Sequence, residues 1–153
     1  MSSDETIVVR DRHGDEIFRW VVPRGQSGFT GADLQGADLD HAELPEADFS
    51  GANLYWATFI RANLTDSNFK DACLQGAILQ GARLRGANLE GADLGLDKSG
   101  GPTDLQGADL RDCNLIRANL HGAYYDEHSR FPDYFDPKHE GLTFRSSVSM
   151  EDD

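Results

Sequence analysis

Residues 31–95 read GADLQ-GADLD-HAELP-EADFS-GANLY-WATFI-RANLT-DSNFK-DACLQ-GAILQ-GARLR-GANLE-GADLG, one beat every five residues. A large apolar residue falls on each beat: Leu34, Leu39, Leu44, Phe49, Leu54, Phe59, Leu64, Phe69, Leu74, Leu79, Leu84, Leu89 and Leu94. Two residues before each stands Ala, or once Ser67. After an interruption the beat resumes over 103–126 as TDLQ-GADLR-DCNLI-RANLH-GAYYD, with Leu105, Leu110, Leu115 and Leu120 at the apolar position.

A fixed period of this kind marks a repeat architecture. Five residues fit neither common element. On an α-helix each step of five turns the apolar residue by ~140°, so no stripe forms. On one long strand an odd step sends alternate Leu residues to opposite faces. A chain that turns after every unit escapes both problems. Ala and Leu, two apart, share one face of a short extended segment, and every pair points at a common axis. Four equal sides would make a square solenoid whose coils pair at ~4.8 Å. The Gly before the Ala suits a turn with positive φ or close backbone contact.

These residues resemble the pentapeptide-repeat signature, A-(D/N)-L-x-x, over about residues 27–125. The resemblance implies an all-β fold, a right-handed quadrilateral β-helix with four pentapeptides per coil. It also implies about 4.5 coils and a solenoid about 22 Å long. Residues 125–137 resemble the closing segment, Y-D-E-x-S/T-x-F-P-x-x-F-D-P, that follows the last coil in many bacterial, notably cyanobacterial, members.

The rest of the chain divides around the repeat. Residues 1–26 are expected to hold an N-terminal tail, disordered over 1–5, and a capping β-hairpin. Its arms, Thr6–Arg10 and Glu16–Val22, are β-branched and aromatic and flank His13-Gly14-Asp15. Phe18 or Trp20 is expected to cover the open axis. The repeat spans 27–125, with Phe29 as its first core residue. A six-residue insertion lies in the loop 95–102, rich in turn formers. Residues 126–145 are an irregular C-terminal cap in which Phe131, Tyr134 and Phe135 shield the last coil, and 146–153 a disordered tail.

Composition narrows function. The formal net charge is −13 on 153 residues. Such a chain repels nucleic acid and anionic membranes, so no direct nucleic-acid or membrane partner is expected. No apolar run approaches a membrane span and no secretory pattern opens the chain, so a cytoplasmic location is expected. Cys73 falls in an outward slot and Cys113 in an inward Ala slot, which argues against a disulfide.

Three groups depart from the repeat's plain grammar. Asp33, Asp38, Asp40, Glu43, Glu46 and Asp48 fall within one coil, with no Lys or Arg among residues 25–60. They are solvated repeat positions or a DNA-like surface. Tyr55, Trp56 and Ile60 take outward or corner slots that are usually polar; they form a contact patch, or Trp56 covers Gly76. The loop residues Asp97 and Lys98 are further interaction candidates. Near the C-terminus Asp126, Glu127, His128, Asp133, Asp136 and His139 lack a tight metal motif and read as turn caps. No metal, cofactor or catalytic residue is assigned, and a filled axis leaves no interior pocket. The expectation is a monomeric, non-enzymatic scaffold for an unidentified protein partner, with a dimer as the alternative state. The competing reading, taken from the resemblance, is a DNA mimic that binds DNA gyrase and confers inhibitor resistance.

Overall fold

In the computed structural model, which describes residues 4–25 and 27–147, the five-residue units end in a tight turn, except where Leu94 leads into the insertion. The Leu34 carbonyl accepts the Ala37 N–H at 3.0 Å, and the same bond recurs from Ala57 to Leu54 and from Ala87 to Leu84. The residue before the Ala has positive φ, as at Gly36 (70°) and Gly51 (65°). A bond from residue four to residue one with positive φ at residue three defines a type II turn, where Gly avoids a Cβ clash. Eight units carry another residue there, at φ of 56–62°: His41, Glu46, Trp56, Arg61, Asp66, Asp71, Asp112 and Arg117. Each accepts a strain of roughly 1–2 kcal/mol.

The outward Asp or Asn locks the approach to the turn. Its side-chain oxygen accepts the N–H two residues on: Asn68 from Lys70, Asp93 from Gly95 and Asp104 from Gln106, each at 3.0 Å. This local bond supports a turn that the backbone alone would hold with a single contact.

Parallel bridges join residues twenty apart: Asp33 to Asn53, Asp38 to Thr58, Glu43 to Asn63, Asp48 to Asn68, and then Asn53 to Cys73. The chain therefore returns to the same ladder after four units. Backbone bonds run between rungs, as from Leu34 N–H to the Asn53 carbonyl at 2.8 Å and from Asn53 N–H to the Ala32 carbonyl at 2.9 Å. Ile78 pairs with Asp104, Arg83 with Asp109 and Asp93 with Asn119, an offset of 26 in place of 20. The insertion thus adds residues at one corner and leaves the phase intact.

The axis is filled. The Leu and Phe of every unit from Leu34 to Leu120 are buried, as are most of the Ala residues two before them. Phe29, Phe49 and Phe69 stack with centroids 4.7 and 5.0 Å apart, and Phe59, from the ladder two units away, meets Phe49 and Phe69 edge-on at 5.9 and 6.1 Å. Where the Ala slot holds a polar residue, its tip finds a Leu carbonyl in the coil below. Ser67 reaches Leu44, Thr103 reaches Leu74, and Cys113 reaches Leu84, at 2.9–3.0 Å. A buried hydroxyl without such a partner would cost about 1–3 kcal/mol.

Both ends are covered. Strands β1 (Thr6–Arg10) and β2 (Glu16–Val21) form an antiparallel hairpin. Ile7 opposes Trp20 and Val9 opposes Phe18, and these four side chains pack against the core. Asp4 pairs with Arg24 at 3.6 Å and the Glu5 carbonyl accepts the Val22 N–H, so these two residues join the hairpin; residues 1–3 lie outside the described ones. At the other end β3 (Tyr124–Tyr125) pairs in parallel with β4 (Thr143–Phe144). Tyr125 contacts Phe131 and Phe144, and Phe131 stacks on Phe135 at 5.2 Å. Tyr134 does not shield the core, being 69% exposed. It acts through its hydroxyl, which donates to the Cys113 carbonyl at 2.7 Å and accepts the Leu115 N–H at 3.2 Å. These are edge groups of the last coil, which no further coil can pair. Of the expected C-terminal tail, Ser147 donates its hydroxyl to Glu127 at 2.8 Å, and residues 148–153 lie outside the described ones.

Candidate functional site

The outside of the coils carries the variable chemistry, and it is organised corner by corner. Trp56 occupies a positive-φ corner, with φ of 60°. Its indole lies across Gly76, the corner residue one coil on, where any Cβ would collide with the ring. The Tyr55 ring lies beside it, centroids 4.7 Å apart and tilted by 34°. The insertion emerges at the next level of this same corner and folds back onto the two rings. The Trp56 indole N–H donates to Asp97 Oδ2 at 2.7 Å, and the Lys98 N–H donates to the Tyr55 hydroxyl at 3.2 Å. Asp97 Oδ1 accepts the Ser99 N–H, the Ser99 hydroxyl and the Gly101 N–H at 2.7–2.8 Å. The indole donor, then the Ser99 hydroxyl, lower the Asp97 pKa to about 2. Gln75 holds the Leu96 carbonyl at 3.1 Å, and Thr103 closes the loop base at the Gly95 carbonyl, 3.2 Å away.

Two candidate groups that the sequence kept separate are therefore one clamp. Tyr55 and Trp56 bind the loop of their own chain, and Asp97 is engaged on both oxygens. Ile60 does not join them; it belongs to the following corner and lines a different hollow. Lys98 is exposed at the edge of a small hollow of about 320 Å³ shared with Gln35, Tyr55, Cys73 and Gln75. The register could have revealed the clamp: twenty residues past Gly76 lies Leu96, inside the insertion.

The acidic group does not form one face. Asp33, Asp38, Glu43 and Asp48 each head a different ladder, so the carboxylates ring the first coil. Most are engaged in holding the coil. Asp40 accepts the Ile60 N–H at 2.8 Å, Asp48 accepts the Ser50 N–H and hydroxyl, and Glu43 holds Asn63 at 2.9 Å and Arg83 at 3.4 Å. Burial opposes ionisation of Asp48, but the Ser50 bonds outweigh it and its carboxyl lies below the usual range.

Asp126, Glu127 and His128 can bring one ligand atom each within 4.8 Å of one another. Asp126 Oδ1, however, already accepts the N–H groups of Gly107, His128 and Ser129 and the Ser129 hydroxyl. Its role is to cap the turn that ends the repeat. Cys73 is partly exposed and Cys113 buried, and both are free thiols; burial pushes the Cys113 pKa up to about 12.

One further feature was missed by sequence reasoning. The corner of His41, Arg61 and Gly81 forms a groove of about 630 Å³, which Gln106, Asp126, Arg145, Ser146 and Ser147 also line. A second hollow of about 450 Å³ shares His41, Arg61 and Gly81 and adds Arg12, Glu43 and Arg83. Its signal was present: residues 41, 61 and 81 share one position in successive coils.

A family model described as pentapeptide repeats matches in eight copies, over residues 29–66, 62–95 and 103–124. Among solved structures, a pentapeptide repeat protein from the Arabidopsis thaliana thylakoid lumen is 31% identical, covering 67% of this chain and 73% of that one with a TM-score of 0.51. A pentapeptide repeat protein from Nostoc PCC 7120 is 32% identical, covering 74% and 84% with a TM-score of 0.27. QnrB1, a plasmid-mediated fluoroquinolone resistance protein, is 14% identical over 76% of this chain and 85% of its own, with a TM-score of 0.33. No curated protein matches the chain.

Proposed function

The chain belongs to the pentapeptide repeat family, and from that premise we propose that it is a non-enzymatic scaffold that binds another protein through the outside of its coils. The twenty-residue ladders and type II corners support reading the coil as the family's right-handed quadrilateral β-helix. The observation that carries the scaffold reading is the filled axis. Phe49, Phe59, Phe69 and the Leu columns occupy the interior, so the chemistry the repeat offers lies on its outward positions. A rigid, ladder-paired surface with variable side chains at fixed spacing suits recognition of a partner.

Cross-linking in native bacterial lysate, followed by mass spectrometry, tests the reading. A protein recovered at stoichiometric yield with the intact chain, and lost on outward substitutions, is the expected result; recovery of a small-molecule turnover activity instead would overturn it. The second reading, a gyrase-directed DNA mimic, rests on the acidic ring of the first coil, six carboxylates with no Lys or Arg between residues 33 and 48. A supercoiling assay separates the two.

A further inference from the structure

We infer that the corner groove between Arg12 and Arg145 is a docking site for an extended acidic peptide segment of a partner protein. This deepens the scaffold reading and depends on it. The chain carries 27 acids against 14 Lys and Arg, yet this groove and the adjoining hollow are lined by Arg12, Arg61, Arg83 and Arg145. The same lining holds three acids, so the walls carry four Arg against three carboxylates, of which only Glu43 has a cationic partner among the described residues. Glu43 holds Arg83 and Asn63; Asp104 holds the Gln80 side chain and the Gln106 N–H; Asp126 caps its turn. Arg61 has no carboxylate within ion-pair distance among the described residues, and Arg145 lies over the Tyr124 ring at 5.2 Å.

The shape follows from the repeat. His41 and Arg61 occupy successive corners, and the next two corner residues, Gly81 and Gly107, carry no side chain of their own, with the Arg61 stem lying against Gly81. Gln106 holds the Arg145 carbonyl at 2.7 Å, which fixes the far wall. Four rungs at ~4.8 Å span about 15 Å, the length of four or five extended residues at ~3.3 Å each. A short acidic segment meets the local cations and escapes most of the distant negative field, which screening weakens beyond ~8–10 Å. A long nucleic acid would meet that field along its length.

The test is fluorescence anisotropy of a fluorescein-labelled octapeptide of alternating Glu and Gly with the full chain. A Lys/Gly octapeptide, a single-stranded oligonucleotide and inorganic phosphate serve as competitors. The key variant is Arg61→Gly, which removes the cation and also relieves a positive-φ backbone, so folding is preserved. The expected result is binding of the Glu peptide that weakens about five- to tenfold in Arg61→Gly, weakens with added salt, and is unchanged in Lys98→Ala, outside the groove. Absence of binding, equal loss in both variants, or full displacement by phosphate or the oligonucleotide at equimolar peptide overturns the assignment. Failure here is distinct from failure of the scaffold. If lysate capture succeeds and survives Arg61→Gly, the scaffold stands and the groove is wrong. If the Glu peptide binds but no protein is captured, the groove takes acidic peptide, the scaffold reading fails, and the assignment to a partner protein falls with it.

Discussion

At the corner residue, a single backbone angle decides what is tolerated. Glu46 is exposed and sits at φ of 61°, where Gly would relieve roughly 1–2 kcal/mol of strain. Gly also raises the entropy of the unfolded chain, which returns part of that gain. Glu46→Gly is expected to stabilise by about 0.5–1 kcal/mol in urea unfolding; a loss of stability would contradict the strain argument. Inside, the opposite holds. Phe59 is fully buried between Phe49 and Phe69, and Phe59→Ala should cost about 3–5 kcal/mol by the same measurement. The thiols report the inward and outward slots directly. One thiol per chain should react with a disulfide reagent at pH 8 in native buffer, and two in denaturant, because Cys113 is buried with its pKa at about 12. The core residues were legible from the sequence because burial follows the beat. The Asx bonds were not: the sequence shows Asp and Asn as polar and outward, while the N–H they accept is fixed only once the turn type is known.

The loop 95–102 folds around one carboxylate, Asp97. Its folded pKa of about 2 lies below the ordinary aspartate value of 3.8. A depressed carboxylate stabilises above its unfolded pKa, and that contribution disappears as pH falls through the folded value. The clamp should therefore be intact above about pH 4 and loosen between 3.8 and 2. Amide hydrogen exchange at Ser99 and Gly101 is the readout. Asp97→Asn should raise exchange at both amides at neutral pH without shifting the unfolding midpoint of the coils. Unchanged protection would contradict the assignment of these two amides to the Asp97 carboxylate. The existence of an insertion was readable from the broken phase. Its conformation was not, because Trp56 and Asp97 are 41 residues apart and meet only when the ladder register is applied. The same register would have joined His41, Arg61 and Gly81. Stacking of sites across coils is a property of the fold, and no local window of the sequence contains it.

At the scale of the whole molecule, the distribution of charge weighs between scaffold and DNA mimic. Duplex DNA carries one charge per ~1.7 Å of axis, so a faithful mimic needs about three charges in each ~4.8 Å rung, repeated along its length. The first coil meets this: residues 31–50 hold six acids and no Lys or Arg. The following coils do not. Residues 51–125 hold eight acids and seven bases, a net of −1. Several of those charges are paired across the surface, Arg85 with Asp112 at 2.9 Å, Arg111 with Asp109 at 2.7 Å, and Arg117 with Glu90. The DNA-like density thus occupies one end and about a quarter of the axis. A basic DNA-binding cleft that grips successive phosphates would find the first rung and lose the rest. The expected outcome is therefore no inhibition of gyrase supercoiling and no protection against a fluoroquinolone at micromolar protein. Reversing the pattern should move the result. Neutral substitution of Arg61, Arg83, Arg85, Arg111 and Arg117 takes the later coils from −1 to −6 and should produce salt-sensitive inhibition if charge density is the missing ingredient. Inhibition by the unsubstituted chain would show that one acidic coil is enough, and would favour the mimic over the scaffold.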